Sequence, residues 1–171
     1  STSSSIGQNL NGLQDLHEYV DMLLQLPQTQ QALAQQEQRK WVEQLLDGYL
    51  VLLDVCSTAK DALLQTKECT QELQSILRRR RGVEGLANEV RKYLTSRKAV
   101  KKAICKALKN LKHMENKHST SSFNEDGENV ISILREVEAI TVNVLRSLLS
   151  FVSGQEAESR FSRWSLVSKL M

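Results

Sequence analysis

The chain has 171 residues, of which 40% are apolar, 25% charged and only 5% aromatic, with one proline and seven glycines. That length can bury one substantial core, and so few turn residues and β-formers argue against a sheet protein. The net charge of +3 conceals a contrast, because residues 78–118 hold 14 Lys/Arg against 3 Asp/Glu while the remainder holds 9 against 17.

The first four residues of STSSS read as a flexible polar lead. From Ser5, apolar residues from Ile6 to Leu24 recur at spacings of three and four, a helix that Leu26–Pro27 should end. The Gln- and Ala-rich stretch that follows is helix-competent but weakly amphipathic. The strongest pattern spans Val42 to Leu77. Val42, Tyr49, Cys56, Leu63, Thr70 and Leu77 form one heptad series; Leu45, Leu52, Ala59, Thr66 and Leu73 form the other. Leu46 and Leu53 widen its apolar face, so the first half should be the more deeply buried. Gly82 is placed to stop this helix in a left-handed conformation.

A third helix is expected from about Leu86 to Met114. Its seam is Leu86, Val90, Tyr93, Arg97, Val100, Ile104, Ala107, Leu111 and Met114. Arg97 breaks the row and should snorkel or meet a carboxylate. Residues 115–129 read as a mobile loop. A fourth helix carries Val130, Ile133, Leu134, Val137, Ile140, Val144, Leu145, Leu148 and Val152, the richest apolar face in the chain and therefore the expected centre of the core. Gly154 should end it, and a further apolar helix begins in RFSRWSLVSKLM. The expected architecture is all-α: an antiparallel up-and-down bundle of four to five helices around one long central helix, as a single domain over 1–171.

Three stretches carry a resemblance. GLQDLHEYVDMLLQLPQTQQALAQ (12–35), WVEQLLDGYLVLLDVCSTAKDALLQTKECTQELQSILRRRRG (41–82) and WSLVSKLM (164–171) are similar to the plant BYPASS-type family, a domain of unknown function. Family members are typically longer at both ends, so the resemblance implies that this chain is their middle portion. It further implies a role in root and shoot development and long-distance signalling, and some relatives are linked to secretory-vesicle tethering. It brings no catalytic motif.

The residues themselves advertise little chemistry. His113 and His118 are five apart, which does not place them on one helix face as HExxH does, and surface placement is the default for all three histidines. No Walker, Rossmann or G-x-S-x-G loop is present, so no enzyme, metal or cofactor is expected. An inter-helix pocket would be needed for a small-ligand or enzymatic reading. Cys56, Cys69 and Cys105 lie in helical patterns with no CxxC pair, and reduced thiols in or near the core are expected. No apolar run reaches the ~18–20 residues that span a bilayer. The chain begins without Met, so a removed targeting segment stays open. The expected location is intracellular, in the cytoplasm or on the cytosolic face of a membrane.

The basic segment is the candidate contact site: Arg78, Arg79, Arg80 and Arg81, then Lys98, Lys101, Lys102, Lys106, Lys109 and Lys112. Cations at a helix C-terminus offset the dipole, which accounts for one or two arginines but not four. The lysine spacing forms a stripe that can neutralise phosphates of anionic lipid. Tyr93 is the only aromatic between residues 50 and 122 and lies on the apolar seam, which argues against nucleic acid. The primary expectation is a non-enzymatic regulatory or scaffold protein acting through helical protein–protein contacts. A peripheral adaptor on anionic membrane is the alternative, and self-association through the heptad seam is left open.

Overall fold

The computed structural model describes residues 2–79, 83–119 and 130–154, and every element among them is helical. Helix α1 spans Thr2–Gln25. Leu26 is extended at φ −69° and ψ 131°, as a residue before proline must be, and Pro27 opens the short helix α2, Pro27–Leu33, at its first turn. A 3-10 turn, Gln36–Gln38, leads into α3, Arg39–Arg78, whose 40 residues extend about 60 Å. Helix α4 spans Val83–Ser119 and α5 spans Val130–Ser153. Gly154, at φ +77°, ends α5, and its N–H donates to the Phe151 carbonyl at 3.1 Å.

The chain divides into two compact units. Unit 1 is Ser1–Cys56 with Lys109–Ser147, and unit 2 is Ser57–Leu108 with Leu148–Met171. In unit 1, α5 is central. Tyr49 on α3 donates its hydroxyl to the Leu134 carbonyl at 3.2 Å, His17 on α1 meets the Thr141 hydroxyl at 2.9 Å, and Glu115 on α4 forms an ion pair with Arg146. The apolar cluster of Val20, Leu45, Ile131, Leu134 and Val137 is closed by Leu16, Leu33, Trp41, Val42, Tyr49 and Val130. In unit 2, Cys69 on α3 and Ser96 on α4 are hydrogen-bonded at 3.1 Å. They lie at similar distances from the short 79–83 link, so the two helices form an antiparallel hairpin. Ala59, Ala62, Ile76, Val100, Ile104, Ala107, Leu148, Leu149 and Val152 are buried there.

Several expectations need correction. Helix α1 begins at Thr2, inside the stretch read as a lead, since Ser and Thr are favoured at helix starts. The loop expected at 115–129 starts late, because α4 continues to Ser119; the remainder, and the Gly82 stop, lie outside the described residues. On α3, Leu45, Leu52 and Ala59 are buried as expected, but the partner series is displaced by one residue. Gly48, Val55, Ala62 and Ile76 are buried and Cys69 is half-buried, whereas Cys56, Leu63 and Leu77 are exposed. Glycine, alanine and cysteine let neighbouring backbones approach, yet they add little to a hydropathy pattern. Leu46 and Leu53 do not widen the core: they are 59% and 66% exposed. Cys56 and Cys105 are exposed as well, and all three thiols are free.

Candidate interaction surface

Arg78 closes α3 and Arg79 follows it, both exposed in unit 2, while Arg80 and Arg81 lie outside the described residues. Lys98, Lys101, Lys102 and Lys106 are exposed along α4 in unit 2. At about 100° per residue they share an arc of roughly 140°. Lys109 and Lys112, also exposed, belong to unit 1. No Asp or Glu occurs between residues 90 and 114, so the sequence brings no carboxylate to that stretch of α4. Arg97 neither snorkels nor meets a carboxylate. It is half-buried, and its Nη1 donates to the Val152 carbonyl at 3.1 Å, meeting an orphan acceptor in the last turn of α5.

Unit 1 carries a second surface. Leu46, Leu50 and Leu53 are 59%, 64% and 66% exposed. Their i, i+4, i+7 spacing sets them in one row on the outer side of α3, within roughly 60° of arc. Glu43, Asp47 and Asp54, all exposed, follow along one edge of that row. Glu43 pairs with Arg39 at 3.2 Å. Beyond the carboxylates opens a cleft of about 500 Å³ whose walls include Gln44, Asp47 and Val51 of α3 and Asn110, His113 and Met114 of α4. A small-ligand reading would have to use a pocket of this kind.

Behind the cleft sits a polar cluster. Gly48 lines the cleft on one side and contacts Glu138 on the other, so closely that a Cβ there would collide with the carboxyl. Glu138 is 4% exposed. Burial raises its pKa to about 7, and the nearby Arg135 charge only partly opposes this. Arg135 donates from Nη2 to Gln44 Oε1 at 2.9 Å, and its guanidinium lies 5.0 Å from the Trp41 ring centroid. Burial, with the Glu138 charge added, pushes the Tyr49 phenol to about 12. Burial also lowers the pKa of His17, which packs edge-on to Tyr49 at 6.3 Å.

A family model described as Protein BPS1 matches residues 9–171. The chain belongs to the BPS1 family. No curated protein and no solved structure matches it. Membership confirms the BYPASS-type resemblance over almost the whole chain, including the stretches that carry both surfaces.

Sequence patterning overlooked the polar residues packed inside unit 1 of this BPS1-family chain. His17 is not a surface histidine, although His113 is exposed; His118 lies outside the described side chains. Ile133 and Ile140, expected in the core, are 43% and 46% exposed, while Glu138 and Thr141 beside them are buried. Thr141 satisfies its hydroxyl on the Val137 carbonyl at 2.7 Å and on His17, which removes the cost of its burial. Among the described residues no three His, Cys, Asp or Glu side chains gather as metal ligands would. None of the described helices is long and apolar enough to cross a membrane.

Proposed function

We propose that this BPS1-family chain is a non-enzymatic regulatory protein that binds other proteins through helical surfaces, in the developmental signalling role that the BYPASS resemblance implies. The observation that supports it is the row Leu46, Leu50 and Leu53. Three large apolar side chains in register on one helix face are costly to leave in water, and such a patch is characteristic of a contact surface. The test is a photo-reactive amino acid placed at Leu50 of the full-length protein in plant cells, with the same probe at the exposed Ser147 on α5 as control. A discrete crosslinked protein at position 50 and none at 147 is the expected result. Equal, diffuse labelling from both positions would remove the support for the reading.

A second reading, a peripheral adaptor on anionic membrane, is favoured by the exposed lysines of α4 in a stretch without carboxylates. Each basic residue near such a surface contributes on the order of 1 kcal/mol. Co-sedimentation with neutral and anionic vesicles at two salt concentrations tests it. Binding confined to anionic vesicles, weakened by salt and lost on Lys98, Lys101, Lys102 and Lys106→Gln, would establish this second activity. Absence of binding at low salt would refute it.

A further inference from the structure

The leucine row, the carboxylates and the cleft adjoin one another on α3 in unit 1, and each favours a different part of the same ligand. We propose that this face takes an amphipathic partner helix with basic side chains along one edge of its apolar stripe; this rests on the interaction reading above and specifies its partner. Leu46, Leu50 and Leu53 present apolar contacts at the i, i+4, i+7 spacing of a helix-on-helix seam. A partner helix with its own apolar residues at that spacing interdigitates with them. Asp47 and Asp54 then lie beside one edge of the seam, and among the described residues neither forms an ion pair. A Lys or Arg on the partner's facing edge meets them.

The cleft sharpens the match. Asp47 lies both on the carboxylate edge and on the cleft wall, where the side-chain amide of Asn110 offers a further acceptor. The cleft lining includes Gly48, behind which the Glu138 carboxyl is packed. A long cationic side chain from the partner enters over Asp47, with its methylenes against Val51 and Met114 and its donors on Asp47 and the Asn110 amide oxygen. Exposed ion pairs contribute little affinity individually. The leucines therefore supply most of the binding and the carboxylates set its orientation and charge preference. The same carboxylates disfavour the other occupants. An anionic membrane would be repelled, and a second copy of α3 stacked antiparallel on this face would bring acidic edges together.

The test uses two synthetic amphipathic peptides of about 18 residues with one leucine stripe, edged with Lys/Arg in one and with Glu in the other. Each is titrated into the full chain by fluorescence anisotropy. The basic-edged peptide is expected to bind about tenfold more tightly than the acidic-edged one at low salt, with the gap narrowing as salt rises. Asp47→Lys with Asp54→Lys should reverse that preference, and Leu50→Ser should abolish binding of both while leaving the circular dichroism unchanged. Binding that needs Leu50 but ignores charge would overturn the basic partner and leave the interaction surface standing. Binding of neither peptide, or binding indifferent to Leu50→Ser, would overturn both at this face. Sedimentation as a dimer that Leu50→Ser converts to monomer would assign the face to a second copy and overturn the partner helix.

Discussion

The inner and outer faces of unit 1 reverse the usual division of residue types. Turned inward on α3 and α5 are Gly48, Glu138 and Thr141; turned outward on the same helices are Leu46, Leu50, Leu53, Ile133 and Ile140. Position in a helix is decided by what the neighbouring helix can accept, and hydropathy is only one part of that. Two of the buried polar groups are matched by hydrogen bonds, Thr141 to His17 and a carbonyl and Tyr49 to Leu134, while Glu138 occupies the space that Gly48 leaves. Among the described residues, none of the three outward leucines of α3 belongs to the apolar cluster of unit 1.

The sharpest contrast is between adjacent residues. Leu52 is 3% exposed and Leu53 is 66% exposed. Leu52→Ala should cost about 2–5 kcal/mol, the usual range for a buried leucine that leaves a cavity. Urea denaturation measures it, and a loss below about 1 kcal/mol would mean that the inner face collapses freely around the gap.

The inner face should also make stability depend on pH. The folded protein keeps the Glu138 proton up to about 7, whereas the unfolded chain releases it near 4.5. Between those values the native state binds more protons, so this group lowers stability as pH rises and contributes a constant deficit above about 7. The total is on the order of 3 kcal/mol. Glu138→Gln should remove it, so the variant's stability relative to wild type should climb from pH 4.5 to 7.5. His17 acts in the opposite sense. Burial lowers its pKa, so its contribution is present above 6.5 and is lost as pH falls through that value. A Glu138→Gln difference that stays flat across this range would show that the carboxyl is solvated in the folded protein.

Gly48→Ala tests the room left for that carboxyl. Alanine is intrinsically better in a helix by about 1 kcal/mol, but here its Cβ would meet the Glu138 carboxyl. Overpacking costs about 1–3 kcal/mol, so a loss near 2 kcal/mol, reduced to about 1 kcal/mol by the propensity gain, is expected. Gly48→Ala combined with Glu138→Ala should show strong coupling, because the second change removes the obstacle. Additive effects would separate the two residues.

These features mark how far the sequence could be read. The α4 seam from Val100 to Met114 was legible because apolar residues occupy it without interruption, and all five named positions are buried. The α3 positions Leu45, Leu52 and Ala59 were legible for the same reason. The other α3 series was misplaced because Leu63 and Leu77 are at least as apolar as the buried Ala62 and Ile76 beside them, whereas Gly48, Ala62 and Cys69 look indifferent. The small residues Gly48, Ala62 and Cys69 on one seven-residue series were the available signal, and they mark close helix approach rather than an apolar surface. Glu138 gave no signal at all. Its burial depends on Gly48, ninety residues away in sequence, and only the fold brings the two together. The lysines of α4 were found at once, since an exposed helix face is the easiest thing to read from spacing.

The smallest stability effect carries the clearest functional meaning. Leu53→Ser removes an exposed side chain from the outer face of α3, and Ser costs a helix only a few tenths of a kcal/mol relative to Leu. Little burial is lost, so the change in unfolding free energy should stay within about 0.5 kcal/mol. Parallel urea curves for Leu53→Ser and wild type check this, with Leu52→Ala as the reference for a leucine that the fold requires. A loss above about 2 kcal/mol would mean that Leu53 is packed by something in the chain, and the outer row would then belong to the core. A neutral result combined with loss of the basic-edged peptide would separate folding from recognition at a single residue: the fold requires Leu52, and only a partner requires Leu53.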